Sequence, residues 1–78
     1  MELKLPQYGM GMQDATIVRW LKNVGDEVLE GEDLVEIETA KVNEVIKAPV
    51  AGALTRLAVA EGQLVNVGAL LAEIMEKS

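Results

Sequence analysis

The chain has 78 residues, a formal net charge of −6, no cysteine and no histidine, and its only serine is Ser78. This composition excludes a disulfide framework, a serine or cysteine nucleophile, an imidazole base and an ordinary zinc site. The acidic balance disfavours nucleic acid as a partner, and no apolar run approaches the ~20 residues of a membrane-spanning helix. We therefore expect one small domain with no metal site and no catalytic residues of its own.

The distribution of β-branched, aromatic and alternating apolar residues predicts strands along most of the chain. The predicted long strands are, in chain order, at 2–5, 16–21, 34–39, 42–47, 53–58 and 70–75, with short strands near Val28 and Val65. The register of 42–47 stays open, because Val42 and Val45 fall on opposite faces under strict alternation. A competing interpretation, a helical turn over 57–64, is opposed by Gly62 inside it.

Turn signals recur at short intervals between these predicted strands. Glycines supply most of them, and we assign five as structural turns: Gly25, Gly31, Gly52, Gly62 and Gly68. Glycine serves turns because it tolerates positive φ. The spacing predicts an all-β fold, a sandwich or flattened barrel of about eight short strands.

An internal repeat relates the two halves of the chain. A shift of 37 residues aligns 17–37 with 54–74 and gives seven identities in 21 positions. A second match, of 4–6 with 47–49, has an offset of 43, so the first copy carries six extra residues in the loop 7–13. The repeat predicts a pseudo-two-fold axis. The two copies join at Ala40-Lys41, and the symmetry equivalent of that junction is where the chain ends meet.

Lys41 therefore lies at the seam of a duplicated all-β module, at the tip of a predicted hairpin. A covalently attached prosthetic group would be displayed at such a position. The plainer alternative is that Lys41 is one of five ordinary surface lysines. Its neighbours Glu38, Thr39, Ala40 and Val42 would present it in a tight turn, and their plainer alternative is the end of a β-hairpin.

The run from Glu38 to Val42 resembles the lipoyl-lysine motif of lipoyl domains, which occur in dihydrolipoamide acyltransferases, the E2 components of 2-oxo acid dehydrogenase complexes. The resemblance covers nearly the whole chain and implies a flattened β-barrel or sandwich of two four-stranded antiparallel sheets with a pseudo-two-fold internal repeat. The other residues that carry it are Leu5-Pro6, Gly9, Met12, Ile17, Trp20, Gly25-Asp26, Val28, Gly31, Leu34, Ala48-Pro49, Gly52, Gly62, Val65, Gly68 and Leu71. Two residues depart from the family pattern: Ala40 stands where Asp is usual, and Ala15 where Gly is commoner.

The resemblance implies that residues 1–78 form one lipoyl domain, excised from or N-terminal in a longer acyltransferase, and not catalytic in isolation. Lys41 would carry lipoate as an amide, forming a swinging arm between the active sites of decarboxylase (E1), acyltransferase (E2) and dihydrolipoamide dehydrogenase (E3). The implied partners are a lipoate ligase or lipoyl transferase, a thiamine-diphosphate-dependent E1 and a flavoprotein E3. The isolated domain would be a monomer, located in the cytoplasm or, in a eukaryote, the mitochondrial matrix.

Two groups of residues are expected to be read by these partners. Glu38, Thr39, Ala40 and Val42 surround the lysine and would be recognised by the ligase. Gly9, Met10, Gly11 and Met12 lie in the longer loop of the first copy, which resembles a surface that the partner decarboxylase reads. Methionine side chains offer adaptable apolar contact. The alternative for Met12 is that it packs in the core.

Two other functions stay open at this point. The first is a biotin carrier domain of a carboxylase, a sibling that also modifies a hairpin lysine. Its lysine is usually flanked by Met on both sides, whereas Lys41 lies between Ala40 and Val42. The second is an unmodified β-rich interaction module, for which Lys41→Arg would have no functional consequence.

Overall fold

The computed structural model describes residues 1–7 and 13–76. These ranges contain eight β-strands and no helix that could cross a membrane. The strands are β1 (Glu2–Lys4), β2 (Asp14–Trp20), β3 (Glu27–Val28), β4 (Asp33–Glu38), β5 (Asn43–Lys47), β6 (Gly52–Leu57), β7 (Leu64–Asn66) and β8 (Leu70–Glu76). The helical interpretation of 57–64 is wrong, because a turn in which Gln63 N–H donates to the Ala60 carbonyl connects β6 to β7.

The strands form two four-stranded sheets in which every neighbouring pair is antiparallel. One sheet has the order β1-β8-β6-β3 and the other has the order β5-β4-β2-β7. Both sheets mix strands from the two halves of the chain, so neither half could form a sheet of this kind alone. The all-β fold predicted from turn spacing is confirmed, and so are the two four-stranded antiparallel sheets that the resemblance implied.

The pseudo-two-fold symmetry is visible in the sheet orders themselves. The offset of 37 residues converts β2, β3 and β4 into β6, β7 and β8, and the offset of 43 converts β1 into β5. The first sheet order then becomes the second, strand by strand. The same irregularity in pairing also recurs, between Ile17 and Arg19 against β4, and between Leu54 and Arg56 against β8.

Backbone hydrogen bonds between the two copies repeat in the same way. Gly25 N–H donates to the Leu54 carbonyl at 2.8 Å, and its equivalent, Gly62 N–H, donates to the Ile17 carbonyl at 2.6 Å. Both glycines have positive φ, 95° and 86°, which an L-residue with a side chain rarely adopts. Each turn therefore closes on a strand of the other copy, and the two copies stabilise each other.

The core lies between the two sheets, and its buried members among residues 1–7 and 13–76 are all aliphatic. Its buried members are Leu3, Leu5, Ala15, Ile17, Val28, Leu34, Val35, Ile37, Ile46, Ala48, Leu54, Val65, Leu71, Ala72 and Ile74. Within the described residues no polar or charged side chain is buried. Trp20 is half-buried at the margin of this core and donates its indole N–H to the Val59 carbonyl at 3.1 Å. This partner satisfies the one polar atom of the ring.

The structure sets the register that the sequence left open in β5. Glu38 pairs with Asn43 and Ile37 pairs with Glu44, so Ile46 is the side chain that enters the core. On β4, a register shift between Asp33 and Val35 buries the successive residues Leu34 and Val35. Strict alternation buries only every second residue, which is why the sequence pattern could not predict this pair.

Glu32 organises the turn between β3 and β4. One carboxylate oxygen accepts the Leu29 N–H at 3.0 Å, and the other lies 3.1 Å from Lys22 Nζ. These two interactions hold the pKa of Glu32 below its ordinary value of 4.5, the hydrogen bond from Leu29 contributing most. The backbone of Glu32 also joins the turn to Ala48, whose N–H donates to the Glu32 carbonyl. The charged carboxylate therefore stabilises the turn that leads into β4, the first strand of the β4–β5 hairpin.

Folding stability should depend on the ionisation of Glu32. Because its pKa is lowered on folding, its contribution is complete above pH 4.5 and is lost as the pH falls through the folded-state pKa below that value. Urea titrations across this range should show wild type more stable than Glu32→Gln at neutral pH, with the difference narrowing in acid. Glu30→Gln, which removes an exposed carboxylate two residues away, is the matched control for the loss of one negative charge. A difference independent of pH would contradict the assignment.

Candidate functional site: the lysine of the β4–β5 turn

The hairpin between β4 and β5 ends in a two-residue loop. The last paired residues of the ladder are Glu38 and Asn43, and Thr39 N–H donates to the Val42 carbonyl at 2.8 Å. Ala40 and Lys41 form the loop between Thr39 and Val42. Only glycines have positive φ among the described residues, so both loop residues have negative φ. The turn is thus not one of the primed types, which need positive φ and are the commonest in two-residue hairpins.

The Thr39 side chain supplies further hydrogen bonds across this loop. Its hydroxyl donates to the Val42 carbonyl at 2.9 Å and accepts the Val42 N–H at 3.1 Å and the Lys41 N–H at 3.3 Å. A threonine hydroxyl can serve a turn in this way because it is both donor and acceptor. The sequence predicted that Thr39 helps to present Lys41 in a tight turn, but it did not predict these hydrogen bonds.

The ammonium group of Lys41 has no carboxylate partner. Five of the six basic side chains in 1–7 and 13–76 form ion pairs, and Lys41 is the sixth. The paired residues are Lys4 with Glu2, Arg19 with Glu36, Lys22 with Glu32, Lys47 with Asp33, and Arg56 with Glu73. Lys41 is also exposed. Its Nζ is therefore free to enter another protein's active site without breaking an interaction of the fold.

The surroundings of Lys41 combine acidic and apolar surface. Glu38 is exposed and Glu44 half-buried on the two strands leading to the turn, and neither forms an ion pair. Val42, directly after the lysine, has half of its surface exposed. A partner that approaches this end of the hairpin thus meets negative charge and one aliphatic side chain around the lysine.

The symmetry equivalent of this turn is the place where the chain begins. Met1 and Ile74 exchange backbone hydrogen bonds, at 2.6 Å from the amino terminus and 2.8 Å from Ile74 N–H. This pair is equivalent to the Ile37–Glu44 pair at the base of the lysine hairpin. The predicted relation between the Ala40-Lys41 junction and the chain ends is confirmed for Met1 and β8. Met1 with β8 and the base of the lysine hairpin therefore occupy symmetry-equivalent positions.

The other predicted recognition residues fall in a part of the chain that the structure does not describe. Gly9, Met10, Gly11 and Met12 lie outside the described residues, so their recognition by a partner enzyme stays a prediction. Of the five glycines assigned to turns, four have positive φ: Gly25, Gly31, Gly62 and Gly68. Gly52 differs, because the turn before it ends at Ala51 and Gly52 is the first, buried residue of β6.

Fold and site together define a small all-β attachment domain that displays one unpaired lysine on a hairpin turn. The chain belongs to the biotin/lipoyl family: the model of that family, described as biotin-requiring enzyme, matches residues 1–74.

The relatives of the chain are acyltransferase components. It is 43% identical over 77 residues to the dihydrolipoyllysine-residue succinyltransferase component of the 2-oxoglutarate dehydrogenase complex of Staphylococcus saprophyticus, covering 99% of this chain and 18% of that protein. It is 35% identical over 74 residues to the dihydrolipoyllysine-residue acetyltransferase component of the acetoin cleaving system of Pseudomonas putida, covering 95% and 20%. The chain thus spans a fifth or less of the length of these relatives.

Two solved structures share the fold over almost the whole chain. The lipoyl domain of the 2-oxoglutarate dehydrogenase complex from Azotobacter vinelandii matches with a TM-score of 0.82 and 31% identity, covering 100% of this chain and 99% of that domain. A single-chain, multi-domain long-chain acyl-CoA carboxylase matches with a TM-score of 0.79 and 27% identity, covering 99% of this chain and 7% of that protein. The fold is therefore shared by a lipoyl domain and by a part of an acyl-CoA carboxylase.

Proposed function

We propose that Lys41 carries lipoate in amide linkage, and that this domain is the mobile carrier of a longer dihydrolipoamide acyltransferase in a 2-oxo acid or acetoin dehydrogenase complex. The observation that carries the proposal is the isolation of Lys41: it is the one basic side chain of the described ranges without an ion pair, at the tip of a two-residue turn. The relatives and the lipoyl domain of similar fold favour lipoate as the attached group.

The residues present fit such a group. Amide formation needs the neutral ε-amine to attack an activated carboxyl carbon, forming the C–N bond while the leaving group departs and the amine loses a proton. Lys41 Nζ is exposed and unpaired, so that attack costs the fold no ion pair. When attached, lipoate supplies a dithiolane that accepts and releases acyl groups and electrons. The protein supplies a rigid hairpin, an exposed tip and a recognisable surface.

The tether explains how a weakly binding domain can serve several enzymes. A group held on a mobile domain has a high effective concentration at each active site, so tight binding at any one site is unnecessary. The proposed partners are a lipoate ligase or lipoyl transferase, a thiamine-diphosphate-dependent decarboxylase and a flavoprotein dehydrogenase. The formal net charge changes from −6 to −7 when the lysine becomes an amide. Basic patches on the partners would complement this charge and speed association.

A biotin carrier domain is the second candidate, because the carboxylase matches the fold with a TM-score of 0.79. The hairpin geometry itself does not separate the two groups. The residues flanking Lys41 are Ala40 and Val42 rather than the methionines usual in biotinyl domains, which favours lipoate. The attaching enzyme determines whether lipoate or biotin is joined to Lys41, so the two candidates can be distinguished by experiment.

The test is intact mass and peptide mapping after incubation of the purified domain with ATP and either lipoate plus lipoate ligase or biotin plus biotin ligase. The proposal expects a single lipoyl addition, mapped to the peptide that contains Lys41, and none from the biotin reaction. A biotinyl addition instead would assign the domain to the carboxylases. No addition by either ligase would leave an unmodified interaction module as the better account.

A further inference from the structure

The turn that displays Lys41 has a conformational problem that its backbone does not solve. Two-residue hairpin loops favour primed turns, because the twist of those turns matches the right-handed twist of the flanking strands. Primed turns need positive φ, and neither Ala40 nor Lys41 has it. Turns with negative φ splay the strands that they join. A further interaction is therefore needed to hold this loop in one conformation.

Thr39 provides that interaction, and among the described residues it is the one whose side chain forms hydrogen bonds to the loop. Its hydroxyl joins three backbone atoms on the far side of the turn: the Val42 carbonyl oxygen and the amide nitrogens of Lys41 and Val42. Ala40 has no polar side-chain atom. The Lys41 side chain donates no hydrogen bond to any described residue. The side-chain hydrogen bonds of the loop all come from one hydroxyl.

We propose that Thr39 is a positioning residue that selects the turn conformation in which Lys41 is presented to the attaching ligase. The inference rests on the proposed function. It adds a physical reason why the ligase recognises this hairpin. A ligase that must insert the lysine into a narrow active site binds only the fraction of domains whose loop already has the right conformation. The apparent affinity falls in proportion to that fraction.

The expected kinetic effect is on KM rather than on kcat. Thr39→Val keeps the shape and β-branching of the side chain and removes the hydroxyl. Loss of one net hydrogen bond corresponds to a change of about three- to tenfold in an equilibrium constant, so KM for the domain should rise by roughly that factor. The reacting amine is unchanged once the loop is bound, so kcat should stay within about twofold.

A second readout needs no ligase. In the unmodified domain the Val42 and Lys41 amide protons lie against the Thr39 hydroxyl oxygen. Amide hydrogen exchange measured by NMR should therefore be about three- to tenfold faster at these two residues in Thr39→Val, with the rest of the β-ladder unchanged. This change reports the loop itself and does not depend on which group the ligase attaches.

Two variants separate positioning from general stability. Thr39→Ser restores the hydroxyl and should return KM and amide exchange close to wild type. Thr55→Val removes the matched exposed hydroxyl, which donates to the Glu73 carbonyl at 3.2 Å in the other sheet, and should leave both readouts unchanged.

The inference and the proposed function fail in different ways. If wild type accepts neither lipoate nor biotin, the proposed function is overturned, and the exchange measurement still tests the role of Thr39 in the turn. If wild type is modified and Thr39→Val has the same KM, the inference is overturned while the proposed function stands. Equal losses in Thr39→Val and Thr55→Val, or a failure of Thr39→Ser to rescue, would also overturn it.

Discussion

Lys41→Arg should give a folded domain that the lipoate ligase leaves completely unmodified. Arginine keeps the positive charge, so the formal net charge stays at −6 and long-range attraction to the ligase is preserved. The guanidinium stays protonated in proteins and cannot supply the neutral amine that amide formation requires. Because Lys41 forms no ion pair, the substitution should also leave thermal stability unchanged. Intact mass after exhaustive ligation and a thermal melt check the two expectations.

The chain offers a matched control for this substitution on the same hairpin. Lys47 lies at the end of β5 and pairs with Asp33 at 3.1 Å, with both side chains more than half exposed. Exposed ion pairs contribute about 0–1 kcal/mol, and arginine can replace lysine in such a pair, so Lys47→Arg should fold and accept lipoate as wild type does. Modification of Lys41→Arg at any other lysine would contradict the assignment of the site.

The internal repeat made most of the fold predictable. A duplicated pattern of glycines and apolar residues constrains the turns of both copies at once, and Gly25 and Gly62 do occupy equivalent positions with positive φ. The repeat also predicted that the Ala40-Lys41 junction is the symmetry equivalent of the place where Met1 pairs with β8. These features follow from local chain geometry, which sequence patterns report directly.

Other features depend on contacts between distant residues, and the sequence could not show them. The pairing of five basic side chains, which singles out Lys41, depends on cross-strand neighbours such as Arg19 with Glu36 and Arg56 with Glu73. The burial of both Leu34 and Val35 depends on a register shift against β5. The role of Thr39 depends on the sign of φ in the loop after it. The ion pairs and the burial of Leu34 and Val35 depend on strand register, and the role of Thr39 depends on backbone conformation. The alternation of apolar residues in the sequence determines neither.

Gly52 is the clearest case of a residue whose role required the structure. The sequence grouped it with the turn glycines, yet it begins β6 and lies buried against β8. A Cβ added to Gly52 would lie 2.9 Å from the Met75 carbonyl carbon and 3.1 Å from Glu76 Cα, and closer still to the Met75 oxygen. These are backbone atoms of a paired strand, so they cannot move aside as a flexible side chain would.

Gly52→Ala should therefore destabilise the domain, although alanine is ordinarily about 0.5–1 kcal/mol better than glycine within a strand. Overpacking costs about 1–3 kcal/mol, which outweighs that gain and is a large part of the roughly 4–12 kcal/mol available to a chain of this length. Thermal melts should show the midpoint temperature lowered by roughly 5–20 °C, and urea titrations should show a lower midpoint concentration of urea. The symmetry equivalent, Ala15, is itself buried, and the β2–β4 pairing begins only at Thr16 and Glu38, so no paired residue of β4 stands opposite it. Ala15→Gly should cost about 0.5–1 kcal/mol for the backbone freedom of glycine and about 0.8 kcal/mol more for the lost buried methyl group, with no steric clash. A Gly52→Ala variant as stable as wild type would show that β6 and β8 can separate at their ends, and that the close contact does not limit the fold.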